Sequence, residues 1–291
     1  VSPLRLEAAA TVRSTSTCLA APVVNPSPQS STVEPAWSSE RLAGNPHQDA
    51  EKAERVRAMF GAIARRYDLN NRLHSFGRDV AWRRAAVRAA ALTPRSEVLD
   101  VACGTGDLSG ELAEAGVAKV VGVDFSAPML EIAKSKAVRL RDPSRVEYRL
   151  GDAMSLDFPD ASFDVVTISF GLRNVATPER AIREFRRVLR PLGRLVILEF
   201  SQPRNRLLRW GNRFYTEWVM PRTATLIAGD RSGAYRYLPR SVRTFPEPEV
   251  LGSWITEAGF RDLRRRPLTF GVCTLYVGVA DPAHRTQPPT G

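Results

Sequence analysis

The chain has 291 residues, 43% hydrophobic, 25% charged and 8% aromatic, a globular composition that excludes a coiled coil, a collagen-like fibre or a wholly unstructured chain. Cys18, Cys103 and Cys273 stand far apart without a CxxC pair, which argues against a disulfide framework and leaves no metal expected, and no apolar run approaches the roughly 18 residues that cross a bilayer. The formal net charge of +11 lies beyond residue 50, because residues 1–50 hold three arginines against four acids; a basic domain suits nucleic acid, phospholipid or a phosphorylated ligand, and equally a solvated arginine-rich face.

Residues 1–50 read as a disordered tail. Ala21–Asn45 is rich in Pro, Ser and Thr without a sustained apolar period. From Glu51 the pattern changes. Val56, Met59, Phe60 and Ile63 recur at helical spacing towards Tyr67, a second helix is expected over 79–91, and 51–92 together form a helical lid. Strands at 97–102, 119–124, 146–150, 163–170 and 194–200 then alternate with helices at 107–115, 128–140 and 178–189. Residues 202–246 read as an irregular basic and aromatic insertion, followed by a helix (247–258), strands at 260–266 and 271–280, and a disordered tail over 282–291. Short β-branched runs between helices predict an α/β, Rossmann-like fold: a seven-stranded, mostly parallel sheet with helices on both faces and its last strand antiparallel.

The strongest local signal is VLDVACGTGDLS, Val98–Ser109, a buried strand followed by a glycine-rich turn and a helix near Asp107. Gly104 and Gly106, flanking Thr105, let the backbone turn sharply and approach a ligand. A dinucleotide would place its pyrophosphate on the helix N-terminus, where Asp107 would repel it. A cationic ligand without phosphates suits this turn better, and S-adenosylmethionine is one. Asp124 ends the next strand, twenty residues beyond Gly104, where it could accept from ribose hydroxyls; NAD would be served equally well there. Asp152, followed by Ala153, ends the third strand and could accept from an adenine amino group. Asp100, Asp124 and Asp152 at three successive strand ends form a coherent adenosyl site, and Ser169 at the end of the fourth strand joins it. Singly, Asp100 and Asp152 could merely cap turns.

Further segments carry a resemblance: MFGAIARRYDLNNRLHSFGRDVAW (59–82), TISFGLRNV (167–175), RVLRPLGRLVILEFS (187–201), YRYLPRSVRTFP (235–246) and LTFGVCTLYVG (268–278). With the glycine-rich turn, they make the chain similar to class I S-adenosylmethionine-dependent methyltransferases, and within them to the menaquinone/ubiquinone biosynthesis C-methyltransferase family, from Val56 to Gly278. The sequence departs from that pattern at Asn70, His74 and Asp79, where the family has Met, Leu and His, and at Leu192, which replaces a turn glycine.

The resemblance implies transfer of a methyl group from S-adenosylmethionine to the ring of a polyprenylated quinol, demethylmenaquinol before a methoxy-benzoquinol. A non-catalytic scaffold in a quinone-synthesis complex is the other reading. Such a reaction needs the phenolate of the ring, close approach of the ring carbon and exclusion of water. Arg173 and Asn174 are the expected catalytic pair, stabilising and positioning the phenolate. Tyr67, His74, Tyr235 and Tyr237 are candidate substrate-pocket residues, with His74 a candidate base. Residues 204–243 hold nine arginines against Glu217 and Asp230, interleaved with Trp210, Phe214, Tyr215, Trp218, Tyr235 and Tyr237, which suits transient docking on an anionic membrane. A cytoplasmic location, peripheral on the inner face of that membrane, is expected, with a homodimer carried as a candidate assembly. No nucleic-acid partner is expected. The turn after the fourth strand lacks the Asn/Asp-Pro-Pro-aromatic sequence of amino-group nucleic-acid methyltransferases, and neither Cys103 nor Cys273 is placed as a nucleophile.

Overall fold

The computed structural model describes residues 35–228 and 232–284. Seven strands form one sheet in the order β3-β2-β1-β4-β5-β7-β6. They are β1 (Glu97–Val101), β2 (Lys119–Asp124), β3 (Val146–Leu150), β4 (Phe163–Ser169), β5 (Leu189–Phe200), β6 (Phe260–Leu268) and β7 (Cys273–Ala280). The first five pair in parallel, and β7 inserts antiparallel between β5 and β6, as the sequence predicts.

Alternation along the strands divides the core. Val98, Val120, Val165 and Val196 face one layer, with Trp82, Leu108 and Leu112. Their neighbours Leu99, Val121, Val166 and Ile197 face the other, with Ile182, Phe185 and Ile255. Strands buried on both faces need apolar side chains at every position, which explains the unbroken β-branched runs. Each such side chain contributes roughly 1.5–3 kcal/mol on burial. The layers comprise α3 (Arg78–Ala89) and α4 (Asp107–Glu114) on one side, and α6 (Pro178–Val188) and α10 (Pro248–Glu257) on the other, while α5 (Ala127–Ala137) follows β2. The strand order reverses between β1 and β4, so the loops after these strands diverge and leave a crevice at the carboxyl end of the sheet.

A third cluster lies over that crevice. It joins α1 (Lys52–Ile63), α2 (Tyr67–His74), α8 (Met220–Ala228) and α9 (Ala234–Thr244) through Val56, Met59, Ile63, Ala224 and Tyr237, with Tyr67 packed against them. The expected lid is present, but two boundaries move. The tail expected over 1–50 is anchored on the fold at several points within residues 35–50. Trp37 is 0% exposed and stacks on Tyr237 at 4.6 Å, His47 bonds the Ser241 carbonyl at 2.8 Å, and Arg240 donates to the Ala43 and Gly44 carbonyls. One aromatic anchor orders a segment whose average composition is polar; residues 1–34 lie outside the described residues. At the other end, the His284 carbonyl accepts from Arg186 at 2.9 Å, so the expected tail is packed through residue 284, and 285–291 lie outside the described residues.

The insertion expected to be irregular is helical. It holds α7 (Arg206–Phe214), a π-helical turn over Tyr215–Val219, α8 and α9. Gly211, Pro221, Gly233 and Pro239 interrupt the apolar period, and packing on the lid overrides them. Among the described residues no helix is long and apolar enough to cross a membrane. The outer strand β6 carries Arg261, Arg264, Arg265, Arg266 and Pro267, all exposed, and bulges between Arg261 and Arg264.

Candidate active site

The turn after β1 is built on left-handed backbone at Ala102 (φ 51°), Gly104 (φ 57°) and Gly106 (φ 79°). Gly106 is crowded: a Cβ there would meet the Ala133 side chain at 3.0 Å and drive into the Tyr148 ring. Gly104 is open, and a Cβ there would meet nothing within 4 Å. That opening belongs to a cavity of ≈ 100 Å³ lined by Gly104, Asp124, Asp152, Ala153, Ser169 and Asn174, among others.

Asp124 closes this cavity from the end of β2. Its carboxylate accepts from the backbone N–H groups of Gly104 at 2.8 Å and Ser126 at 2.9 Å, which couples the strand end to the glycine turn. Burial nevertheless pushes its carboxyl up to about 6. Asp152 accepts from the Met154 N–H at 2.9 Å, and so both caps its turn and lines the cavity. Ser169 Oγ is buried with no hydrogen-bond partner among the described residues.

Asp100 is placed differently from expectation. It accepts from Ser109 Oγ at 2.6 Å and Thr167 Oγ1 at 2.8 Å, is 1% exposed, and does not line the cavity. Burial pushes its carboxyl up to about 6 as well. Thr105 and Gly106 also lie outside the lining. The Thr105 hydroxyl donates to Asp68 at 2.5 Å, and Lys136 bridges Asp68 and Asp107, so the lid helix α2 is tied to the cofactor turn.

A second cavity, of ≈ 250 Å³, lies between the sheet edge and the lid. Phe60, Tyr67 and Phe170 line both cavities and form their shared wall. The loop after β4 sends its consecutive polar side chains to different sides: Arg173 lines the larger cavity and Asn174 the smaller. Gly171 fits this loop because a Cβ there would meet Ala102 Cβ at 2.5 Å.

Arg173 is 6% exposed and held from several directions. Its guanidinium donates to Glu199 at 2.9 Å and lies 5.1 Å from the Phe200 ring centre. Its Nε, also buried, has no partner among the described residues. Glu199, 1% exposed, further accepts from the Arg173 backbone N–H at 3.1 Å. Sequence reading alone passes over this acid as a functional residue; its place at the end of the apolar run RLVILEF is the available signal.

The four candidate pocket residues all reach the larger cavity. Tyr67 is there on the shared wall, and desolvation raises its phenol above the usual value. His74 has both ring nitrogens engaged, Nδ1 with the Asn70 carbonyl at 2.8 Å and Nε2 with Thr223 Oγ1 at 2.9 Å. Tyr235 packs near the His74 ring at 5.8 Å. Tyr237 donates to Asn174 Oδ1 at 3.0 Å, and burial raises its phenol. Asp79 also lines this cavity, paired with Arg83 at 2.5 Å. Tyr235 and Tyr237 are buried, so they do not belong with the exposed aromatics of the insertion.

A family model described as the ubiE/COQ5 methyltransferase family matches residues 48–280. The chain is 45% identical over 231 residues to a protein of Citrifermentans bemidjiense named ubiquinone/menaquinone biosynthesis C-methyltransferase UbiE, covering 79% of this chain and 97% of the relative. It is 49% identical over 223 residues to a protein of Thermus thermophilus named demethylmenaquinone methyltransferase, covering 76% of this chain and 99% of the relative. A solved SAM-dependent methyltransferase of Thermotoga maritima shares the fold, with a TM-score of 0.53 at 19% identity, over 77% of this chain and 99% of that one.

Proposed function

This chain belongs to the ubiE/COQ5 methyltransferase family, and we propose that it methylates a ring carbon of polyprenylated demethylmenaquinol to give menaquinol. It is an S-adenosylmethionine-dependent C-methyltransferase of quinone biosynthesis. The single observation that carries the substrate reading is the pair of cavities with a common aromatic wall, onto which the neighbouring side chains Arg173 and Asn174 open from opposite sides.

S-adenosylmethionine supplies a methyl group on a positively charged sulfur, together with an ammonium and no phosphate. The smaller cavity fits such a ligand: it has Asp124 and Asp152 in its lining, open space beside Gly104 and the unpartnered hydroxyl of Ser169. In this reading Asp124 receives the ribose hydroxyls and Asp152 the adenine amino group. Asp100 sits behind the turn and braces it through Ser109 and Thr167.

In the larger cavity Arg173 provides a fixed positive charge with one buried donor still available. A guanidinium in a dry site favours the phenolate form of a quinol, which raises electron density at the adjacent ring carbon. Because Glu199 already holds the guanidinium, little reorganisation is needed when that charge develops. Asn174 acts at the border with the cofactor cavity. His74, engaged at both nitrogens, is held as part of the pocket wall.

A polyprenyl tail remains in a bilayer while its ring reacts, and the exposed face of α7 and the turn after it supports docking there. Leu207, Trp210, Phe214 and Trp218 are 74%, 67%, 53% and 58% exposed. Arg206, Arg209, Arg213 and Arg222 flank them, and Arg231 lies outside the described residues. This pattern suits the inner, anionic face of the cytoplasmic membrane.

Incubation with S-adenosylmethionine labelled in its methyl group and each reduced quinone, followed by mass spectrometry, tests the reaction. Label on the naphthoquinol ring carbon is expected. Label on the benzoquinol alone would overturn the choice of substrate, and label on neither would leave a binding scaffold.

A further inference from the structure

One chain of contacts leads from the strap over residues 35–50 through Trp37 to the reaction site. Trp37 lies outside the family-matched residues 48–280, yet it is completely buried and stacks on Tyr237 with ring centres 4.6 Å apart and planes 25° apart. Its backbone N–H donates to the Ser232 carbonyl at 3.2 Å. Gly233, at φ 83°, leaves the space that the Trp37 carbonyl occupies, where any Cβ would collide. Tyr237, 1% exposed, then donates its hydroxyl proton to Asn174 Oδ1 at 3.0 Å.

The Phe170 carbonyl decides which way the Asn174 amide faces, and the Tyr237 hydroxyl holds it from the other side. The Phe170 carbonyl lies 3.3 Å from Asn174 Nδ2 and can only accept, so the amide nitrogen must face it and the amide oxygen must face Tyr237. The second N–H of that nitrogen then remains for the cavity that Asn174 lines. Without the Tyr237 hydroxyl the amide oxygen loses this donor, and the amide is held from the Phe170 side alone.

We infer that Tyr237 and Trp37 are positioning residues for the methyl transfer: Trp37 holds the Tyr237 ring, and Tyr237 orients the Asn174 amide toward the bound adenosylmethionine. The inference rests on the cofactor reading above. It predicts a defect in adenosylmethionine affinity, because Asn174 lines the smaller cavity and not the larger.

The experiment is a double-mutant cycle on the full chain, read by calorimetric titration with adenosylmethionine. Tyr237→Phe keeps the stacked ring and removes only the hydroxyl. It should weaken adenosylmethionine binding about 5- to 10-fold, the effect of one lost hydrogen bond at a buried group. Trp37→Leu should weaken cofactor binding similarly, Trp37→Phe should restore it, and Trp37→Leu should add nothing in the Tyr237→Phe background. Cofactor affinity in Tyr237→Phe within twofold of wild type, or additive losses in the double variant, would overturn the inference. Absence of binding heat in the wild type would instead overturn the cofactor reading, and this inference with it.

Discussion

Glu199 accepts from Arg173 twice, at 2.9 Å from the guanidinium and at 3.1 Å from the backbone N–H of the same residue. One carboxylate at the end of β5 thereby fixes both the side chain and the loop that carry the charge facing the larger cavity. Glu199→Gln keeps the shape but leaves a buried guanidinium without its counter-charge. Loss of about 3 kcal/mol of stability and at least tenfold of kcat is expected. Thermal denaturation and steady-state kinetics check both; unchanged kcat would show that the pair serves only the fold.

Gly104 is left-handed and faces open cavity, while Gly116 is left-handed at φ 86° with equally open surroundings but outside that cavity. Alanine at either position should cost about 1 kcal/mol of stability from backbone strain. Gly104→Ala alone should also lower adenosylmethionine affinity, by tenfold or more, because its methyl group occupies ligand space. Denaturant melts paired with calorimetry separate the two effects.

Asp124 gives adenosylmethionine binding a pH dependence. Burial lifts its carboxyl to about 6, above its unfolded value, so this group stabilises the ligand-free fold fully only at acid pH. That contribution is lost as pH rises through about 6. A cationic ligand binds the ionised form, so affinity should rise with pH from 5 to 7 and binding near pH 5.5 should release protons. Titration in buffers of different ionisation enthalpy measures this release. Asp124→Asn should bind weakly and abolish its contribution to it; an unchanged profile would remove Asp124 from the site.

Leu192 adopts φ 64° in the exposed turn between α6 and the apolar part of β5. A leucine in left-handed backbone is strained, and its side chain is 59% exposed, so little burial is lost on its removal. Leu192→Gly should raise stability by about 1 kcal/mol without altering kcat. Chemical denaturation tests it, and a destabilised variant would show that the leucine contributes more contact than strain.

Membrane docking is testable with liposomes containing anionic lipid. Binding should weaken in 1 M salt, where the Debye length falls to about 3 Å, and should fall again in Trp210→Ser/Trp218→Ser with soluble activity retained. Binding that ignores salt, or survives loss of both tryptophans, would place the contact elsewhere.

Strand runs such as KVVGVD and FDVVTIS are legible because a strand buried on both faces leaves no polar position to blur the signal. The cofactor turn is legible because its glycines have a local conformational cause. What sequence reading misses depends on distant partners. Asp100 is visible as a strand-end acid, but only the fold brings Thr167 of the neighbouring strand onto it. Glu199 has no visible function until Arg173 folds onto it. Trp37 belongs to a segment of polar average composition, and its anchoring partner Tyr237 lies two hundred residues later. Helices α7 to α9 are broken by glycine and proline at intervals that local propensity cannot bridge, and contact with the lid decides them.

The outer margin of the sheet at β6 combines four arginines, a proline and a bulge. Like charges stacked strand against strand repel, and proline withholds a ladder donor, so this margin resists recruiting the matching margin of another molecule. Edge-to-edge growth of the sheet into fibrous aggregates is thereby disfavoured at this margin.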